Sequence, residues 1–339
     1  MEANKIKLNE IVLSKKQEAN SITANPTLDA FDLEYCVALE NLRDVDSFVK
    51  SRVNKCVQEL ILAGGVDYND HFRNAFDFYN EAVCYYLLKQ KGFGVKSIHE
   101  QENINTPDFE VEYSFNNVDG NRVKDSFFIE VKALAFGDGN NEYNRVQQRA
   151  LLGNISMEEQ HQRGHRVTSA FYQVSPLGSK DVGISAEIEL LNQKISNNIK
   201  SGQYTHCNKD TLLWVDLSQY LFPFDVKDCL PIYPDLPHRC SISGRLWMLA
   251  FAKENERIFS CCEFEGQGNF DNELTRVGIL NEYEYIKGII FSSGSGSKDK
   301  TIIGLYRSND QDRAFVSFLY EFCDFVNDDV NSKGFKFFL

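Results

Sequence analysis

The sequence is poor in positive charge. It has 339 residues, with 36 Lys and Arg against 49 Asp and Glu, and its formal net charge is -13. Proteins that coat nucleic acid without specificity depend on neutralising many phosphates, so the composition argues against that class. It does not exclude a protein that receives phosphates at a local basic surface or at a bound metal ion, because clustered carboxylates themselves raise the negative count.

Long apolar runs are also lacking. No stretch approaches the roughly 20 residues of a membrane span, and Met1–Lys16 contains no hydrophobic signal region. We therefore expect a cytoplasmic protein without a membrane partner. The nine cysteines include no Cys-x-x-Cys pair, which predicts reduced core thiols rather than a disulfide framework or a zinc site. The Gly/Ser stretch Ser293–Ser297 lacks a Gly-Lys-Ser/Thr ending, which argues against a nucleoside triphosphate site.

What the sequence does contain is a clear hairpin pattern. Phe109–Phe115 alternates apolar and polar residues, Ser126–Leu134 is an apolar run rich in strand-forming residues, and Asp119-Gly120 supplies a turn signal between them. Side chains in a strand alternate between faces, so Glu130 and Lys132 are predicted to project to the same side of the second strand.

This hairpin would bring two acids and a lysine together. Asp108 directly precedes the first strand, and pairing of the strands would place it near Glu130. A hard cation such as Mg²⁺ takes oxygen ligands, commonly one or two carboxylates with waters and phosphate oxygens. Lys132 would then lie beside a bound phosphate, where its charge can orient water and stabilise developing negative charge.

A third acid lies on a predicted helix ahead of the hairpin. The helix runs from about Phe72 to Lys91 and is closed by Gly92. Glu81 lies in its apolar stripe, where an acid is costly to bury without a compensating positive group. A metal ion is one candidate for that group, and a structural salt bridge or a surface position is the alternative.

The sequence contains Pro107-Asp108 and, after a further twenty-one residues, Glu130-Val131-Lys132. This pattern resembles that of the PD-(D/E)xK nuclease superfamily. The resemblance implies an α/β protein with a restriction-endonuclease-like αβββαβ core, a central mixed sheet flanked by helices. It implies a divalent-metal-dependent endonuclease that hydrolyses phosphodiester bonds with Mg²⁺ or Mn²⁺, most plainly in DNA. The implied catalytic residues are Glu81, Asp108, Glu130 and Lys132, and the three acids are the implied metal ligands.

Two other functions stay open at this stage. The same fold can serve as a noncatalytic module that binds nucleic acid or a protein partner, since a fold does not fix a function. An RNA-specific or structure-specific nuclease is the other alternative. The sequence does not discriminate among these substrates and does not indicate an oligomeric state.

The chain is predicted to have three parts: an N-terminal helical lead-in at 1–65, the nuclease-like core at 66–222, and a C-terminal α/β extension packed on the core sheet at 223–339. The predicted helices of the lead-in are Leu28–Leu42 and Val45–Ala63. A crossover helix from Ile184 to Ile199 and a buried strand at Thr211–Leu217 complete the core. The predicted elements of the extension are strands at Tyr285–Ser292 and Thr301–Tyr306 and a last helix at Ala314–Val326.

The segment between Phe136 and Gly183 is the predicted substrate loop. It follows the second hairpin strand directly and carries four arginines, Arg145, Arg149, Arg163 and Arg166. Gln147 and Gln148 lie where some members of the superfamily carry a further active-site glutamine. Lys194, on the crossover helix, is a further candidate for contact with nucleic acid. The alternative is that the segment between Phe136 and Gly183 is a solvated insertion of mixed charge and that Lys194 is a solvated lysine.

Overall fold

A computed structural model of the chain describes residues 6–20, 26–64, 70–98, 105–116, 122–135, 152–169, 183–205, 209–220, 224–235, 240–260, 269–294 and 300–331. The chain divides into two units. The first comprises Met1–Tyr79, Ala135–Lys180 and Gln219–Leu221. The second comprises Asn80–Leu134, Asp181–Ser218 and Phe222–Leu339.

The described part of the first unit is helical. Its helices are α1 (Leu8–Asn20), α2 (Pro26–Ala30), α3 (Leu33–Arg43), α4 (Ser47–Leu62), the first half of α5 (Asp70–Gln90) and α6 (152–162). Phe31 packs edge-on against Phe76 with ring centroids 5.3 Å apart and contacts Tyr79 at 4.7 Å. The residue that follows α2 therefore packs into the same core as the first half of α5.

The predicted helix Leu28–Leu42 is wrong in one respect, because it is two helices. The break falls at Asp32, which caps α3: its carboxylate accepts hydrogen bonds from the amide nitrogens of Glu34 at 2.7 Å and Tyr35 at 3.3 Å. Asp46 caps α4 in the same way. A side chain that satisfies the first free amides of a helix fixes where that helix begins.

The second unit is built on a seven-stranded sheet with the order β1-β2-β3-β4-β9-β10-β11. Its strands are β1 (Gly94–Ser97), β2 (Phe109–Asn116), β3 (Arg122–Ala133), β4 (Thr211–Asp216), β9 (Ile286–Ser293), β10 (Thr301–Tyr306) and β11 (Phe325–Asp328). Two small sheets pair β5 (Ile232–Asp235) with β6 (Cys240–Ser243) and β7 (Arg257–Ser260) with β8 (Asn269–Glu273).

The strand directions make the central sheet mixed. Strand β2 is antiparallel to both β1 and β3, whereas β4 runs parallel to β3 and to β9. Strand β10 is antiparallel to β9 and parallel to β11. The predicted α/β class is therefore confirmed, and the C-terminal strands continue the central sheet.

The second unit also contains helices. The second half of α5 is followed by α7 (Ile184–Asn198), α8 (Ser201–Tyr204), α9 (Arg245–Phe251), α10 (Ile279–Glu282) and α11 (Ala314–Phe322), and 3-10 turns lie at Val226–Cys229 and Ser308–Asp310. Helix α11 packs on the sheet through Phe318 against Phe127 and through Phe322 against Trp214. These contacts bury the middle strands.

The end of α5 follows the predicted cap. Gly92 has φ 85°, and the amide of Phe93 bonds to the carbonyl of Leu88 at 3.2 Å while that of Gly92 bonds to Lys89 at 3.0 Å. This pair of bonds closes the helix with a residue in the left-handed region, where glycine carries no steric penalty. The chain can then turn directly into β1.

The predicted last helix, Ala314–Val326, is wrong at its end. Helix α11 stops at Phe322, and β11 begins three residues later. Asp324 explains the change, since its amide bonds to the Ile302 carbonyl at 2.8 Å and its carboxylate accepts the Ile302 amide at 2.8 Å. Pairing with the free edge of β10 replaces the helical bonds that these residues would otherwise make.

Among the helices that the structure describes, none combines the length and the apolar character needed to cross a bilayer. Cys36, Cys56, Cys84 and Cys229 are buried, as expected for core thiols, and form no disulfide within the described ranges.

Candidate active site

The hairpin of β2 and β3 positions two acids. Phe109 pairs with Ile129, so Asp108, just ahead of β2, lies opposite Glu130. The amide of Asp108 bonds to the Ile129 carbonyl at 3.2 Å, and its carboxylate Oδ2 accepts the Val131 amide at 2.8 Å. The side chain of Asp108 is therefore held against the strand that carries Glu130.

Glu130 and Lys132 project to the same side of β3, as the alternation predicts. Lys132 Nζ lies 2.5 Å from Glu130 Oε1. Glu130 is only 1% exposed, whereas one-fifth of the Lys132 side chain is open to solvent. The buried acid is therefore paired with a lysine that is partly accessible from solvent.

A second side chain that contacts Glu130 comes from a residue that the sequence did not indicate. Gln203, on the short helix α8, donates from Nε2 to Glu130 Oε1 at 2.5 Å. Gln147 and Gln148, suggested for such a role, lie outside the described residues. No periodic pattern marks Gln203, because α8 has only four residues and the partner of Gln203 is 73 residues away along the chain.

Helix α8 reaches this position because Gly202 has no side chain. A Cβ at Gly202 would lie 3.2 Å from the Cβ of Asn105, which is closer than ordinary side-chain contact. Asn105 lies three residues before Asp108 in the chain. The glycine thus allows the helix carrying Gln203 to approach the segment that leads into the acid.

The electrostatics of the site oppose ionisation of Glu130. Burial is the main cause that raises the pKa of Glu130 well above its ordinary value, and repulsion from Asp108 is the next. The ion pair and hydrogen bond with Lys132 act in the opposite direction, and the charge of Glu81 adds to the repulsion. Because Glu81 acts on Glu130, the helix α5 acid belongs to the same electrostatic cluster as the hairpin acids.

Four buried polar atoms of Glu130 and of the segments that flank Asp108 and Gln203 have no hydrogen-bond partner among the described residues. They are Glu130 Oε2, Gln203 Oε1, Thr106 Oγ1 and Tyr204 OH. A buried polar atom left without a partner costs about 1–3 kcal/mol, so each of these atoms favours binding of a polar group. Polar ligand atoms, such as water, a cation with its hydration shell or a phosphate, would satisfy them.

The donor set fits a hard divalent cation with few protein ligands. Within the described ranges, no three Asp, Glu, His or Cys side chains stand close enough to form a complete ligand cage. Mg²⁺ does not need one, since it commonly takes one or two carboxylates and keeps several waters. Glu130 Oε2 and the carboxylate of Asp108 are oxygen donors of the required kind.

The predicted cationic residues fall in different parts of the chain. Arg163 and Arg166 are exposed and belong to the first unit, whereas the acids belong to the second, and Arg145 and Arg149 lie outside the described residues. Arg163 lies 3.7 Å from Glu159 on the surface of α6 and its end.

Lys194 is in the second unit, half-buried on α7. That helix packs on α9 and the β7–β8 pair, with Ile188 in a cluster completed by Met248, Ala252, Ile258 and Leu274. Contact of any of these cations with nucleic acid stays a prediction.

Comparison of the chain with protein-family models, with curated proteins and with solved structures gives no match. The geometry and chemistry of the site are therefore what indicates a function.

Proposed function

We propose that this protein is a divalent-metal-dependent nuclease of the PD-(D/E)xK type that hydrolyses phosphodiester bonds, in DNA before RNA. The observation that carries the proposal is the convergence of Asp108, Glu130 and Lys132 at one end of a hairpin, with a buried carboxylate oxygen, Glu130 Oε2, that has no hydrogen-bond partner among the described residues. A noncatalytic module has no evident use for two acids and a lysine held together at this cost.

The chain's own groups have distinct roles in the proposal. Asp108 and Glu130 would hold Mg²⁺ or Mn²⁺, with Glu81 as an auxiliary acid, and the bound ion would supply Lewis-acid polarisation and an activated water. Gln203 and Lys132 both contact Glu130 Oε1, which leaves Oε2 as the oxygen for the ion. Asp108 is oriented by the Val131 amide.

Lys132 is proposed as the catalytic cation. Its side chain is partly open to solvent and its ammonium group lies beside Glu130, so a substrate phosphate could approach it without displacing the core. A fixed positive charge there stabilises negative charge that develops on the phosphoryl oxygens and orients the attacking water.

The arrangement of elements supports the same proposal. The chain order α5, β1, β2, β3, α7, β4 corresponds to the αβββαβ order of a restriction-endonuclease-like core, with α6 and α8 as additions. The antiparallel β1-β2-β3 meander followed by a parallel β4 also agrees with that order. Fold analogy alone does not assign an activity, so the site must carry the argument.

The test is a cleavage panel of linear, circular, single-stranded and branched DNA and of RNA, with Mg²⁺ and with Mn²⁺. We expect metal-dependent cleavage that is lost in Lys132→Ala. The matched control is Lys209→Ala, because Lys209 also pairs with a strand glutamate, Glu110, at 2.5 Å. Cleavage should persist in that control.

Calorimetry with Mn²⁺ separates the enzyme from a noncatalytic module. If the protein is a metal-dependent enzyme, the parent protein and Lys132→Ala should both bind Mn²⁺, and Asp108→Asn/Glu130→Gln should not. Nucleic-acid binding without metal binding or cleavage would favour the module, and cleavage of RNA alone would favour the RNA-specific alternative.

A further inference from the structure

Three tyrosines form a row that begins beside the candidate active site. The ring centroids of Tyr204 and Tyr285 are 5.7 Å apart with an interplanar angle of 38°, and those of Tyr285 and Tyr283 are 5.7 Å apart with an angle of 52°. Tyr204 is 2% exposed, whereas Tyr285 and Tyr283 are half-buried. The row therefore leads from a buried end to partly exposed rings.

The buried end of the row is electrostatically part of the site. Tyr204 follows Gln203 on α8, and the charges of Glu130 and Asp108 add to burial in raising the pKa of its hydroxyl. That hydroxyl has no hydrogen-bond partner within the described residues, although it is buried. A polar group of a bound ligand would satisfy it.

The outer end of the row lies beside the side chains of two helices. Burial raises the pKa of Tyr283, and its hydroxyl is close enough to Ser196 on α7 and Glu282 on α10 for both side chains to affect that pKa. Ser196 is itself bonded to Asn192 at 3.2 Å. A ring that already packs against another ring loses little conformational freedom when a ligand stacks on it.

The charges near Tyr283 indicate what kind of ligand fits. Among the described residues, the charged groups that act on its hydroxyl are one acid, Glu282, and one cation, Arg276. Their charges oppose each other, so these groups do not form a concentrated positive charge for a phosphate. A flat, uncharged ring is the better match for the half-buried tyrosine rings, and nucleobases have this character.

We propose that Tyr285 and Tyr283 stack on an unpaired nucleobase next to the bond that is cleaved, so that the site takes single-stranded nucleic acid or an unpaired end. This inference rests on the proposed function and specifies its substrate class. Bases inside a duplex have both faces covered by their neighbours, whereas an unpaired base is free to stack on an aromatic side chain.

The test measures binding of three labelled DNA probes of equal length by fluorescence anisotropy, with Ca²⁺ in place of Mg²⁺: a single strand, a strand with abasic sites and a duplex. We expect the single strand to bind most tightly. Tyr285→Ala should weaken its binding about tenfold or more, since stacking on one aromatic ring contributes an effect of that order. Binding of the abasic strand should not change.

Two further variants make the result specific. Tyr285→Phe keeps the ring and should retain the parent's affinity. Tyr320→Ala removes a half-buried tyrosine from a separate pair, Tyr306 and Tyr320, with centroids 6.3 Å apart, and should also bind like the parent. Equal binding of the base-containing and abasic strands by the unaltered protein would overturn the inference, and that comparison requires no variant to fold.

The outcome is distinguishable from that of the proposed function. If binding of the single strand depends on its bases but no cleavage occurs in Mg²⁺ or Mn²⁺, the proposed nuclease activity is wrong and the stacking site is retained. Cleavage of duplex and single strand at equal rates, with affinity independent of the bases, would leave the nuclease and remove the stacking site.

Discussion

Glu130→Gln is expected to stabilise the protein while removing its proposed metal ligand. The substitution keeps the shape of the side chain, and its Oε1 can still accept from Lys132 and Gln203. It removes a buried negative charge whose second oxygen has no hydrogen-bond partner among the described residues. Burial and Asp108 outweigh the opposing effect of Lys132, because the pKa of Glu130 is raised overall.

The size of the effect follows from the removed charge. A glutamine still buries a polar atom, Nε2, where Glu130 Oε2 lies. Only the extra cost of burying a charged rather than a neutral group is relieved, so the variant should gain about 1 kcal/mol. For a domain of 150–250 residues, this corresponds to roughly 2–4 °C in melting temperature per kcal/mol.

The pH dependence of the stability predicts independently that Glu130→Gln stabilises the protein. A raised pKa in the folded state means that the stabilisation from protonated Glu130 is fully present below its ordinary pKa of 4.5 and is lost as pH rises through the raised value. The glutamine does not titrate. The advantage of Glu130→Gln should therefore grow as pH rises above about 4.5 and reach its full size above the raised pKa.

The assay is thermal unfolding from pH 5 to pH 8 in EDTA and then with Mn²⁺. Mn²⁺ at 100 times its Kd should stabilise the parent by about 2.7 kcal/mol and the variant much less. Glu110→Gln is the matched control, because the hydrogen bond with Lys209 lowers the pKa of Glu110, and the variant should show no gain in EDTA. A Glu130→Gln protein that melts at or below the parent's temperature at pH 8 in EDTA would refute the reasoning.

Three further predictions concern Gln203, Gly202 and two arginines. Gln203→Leu should lower the cleavage rate and shift the pH profile of that rate, because the amide acts through Glu130. The affinity for the single strand should stay near the parent's, and an unchanged pH profile would mean that Gln203 has only a structural role. Gly202→Ala should push α8 away from Asn105 and lower the rate in the same way, and Gly94→Ala, whose Cβ would also meet a side-chain atom at 3.2 Å, is the control for steric strain alone. If Arg163 and Arg166 contact phosphates, Arg163→Ala/Arg166→Ala should weaken DNA binding and reduce the slope of log affinity against log salt concentration by up to about 2. If they are only solvated surface residues, the affinity and the slope should not change, because exposed ion pairs such as Arg163 with Glu159 contribute little.

Local patterns in the sequence determined much of the architecture. The alternation in β2 and the apolar run in β3 predicted the hairpin, and the two-residue period placed Glu130 and Lys132 on one side, where they are 2.5 Å apart. The apolar stripe predicted α7 to within one residue of its observed end at Asn198. These features depend on neighbours a few residues away, so periodicity is enough to find them.

Other features were decided only by tertiary structure. The contact of Gln203 with Glu130 joins residues 73 positions apart, and β11 forms because Asp324 meets Ile302 across 22 positions. The isolation of Glu130 Oε2 depends equally on which groups surround it after folding. A linear sequence specifies the chemical groups, but which of them share a buried space, and which polar atoms stay unsatisfied there, is set by the packing of distant segments.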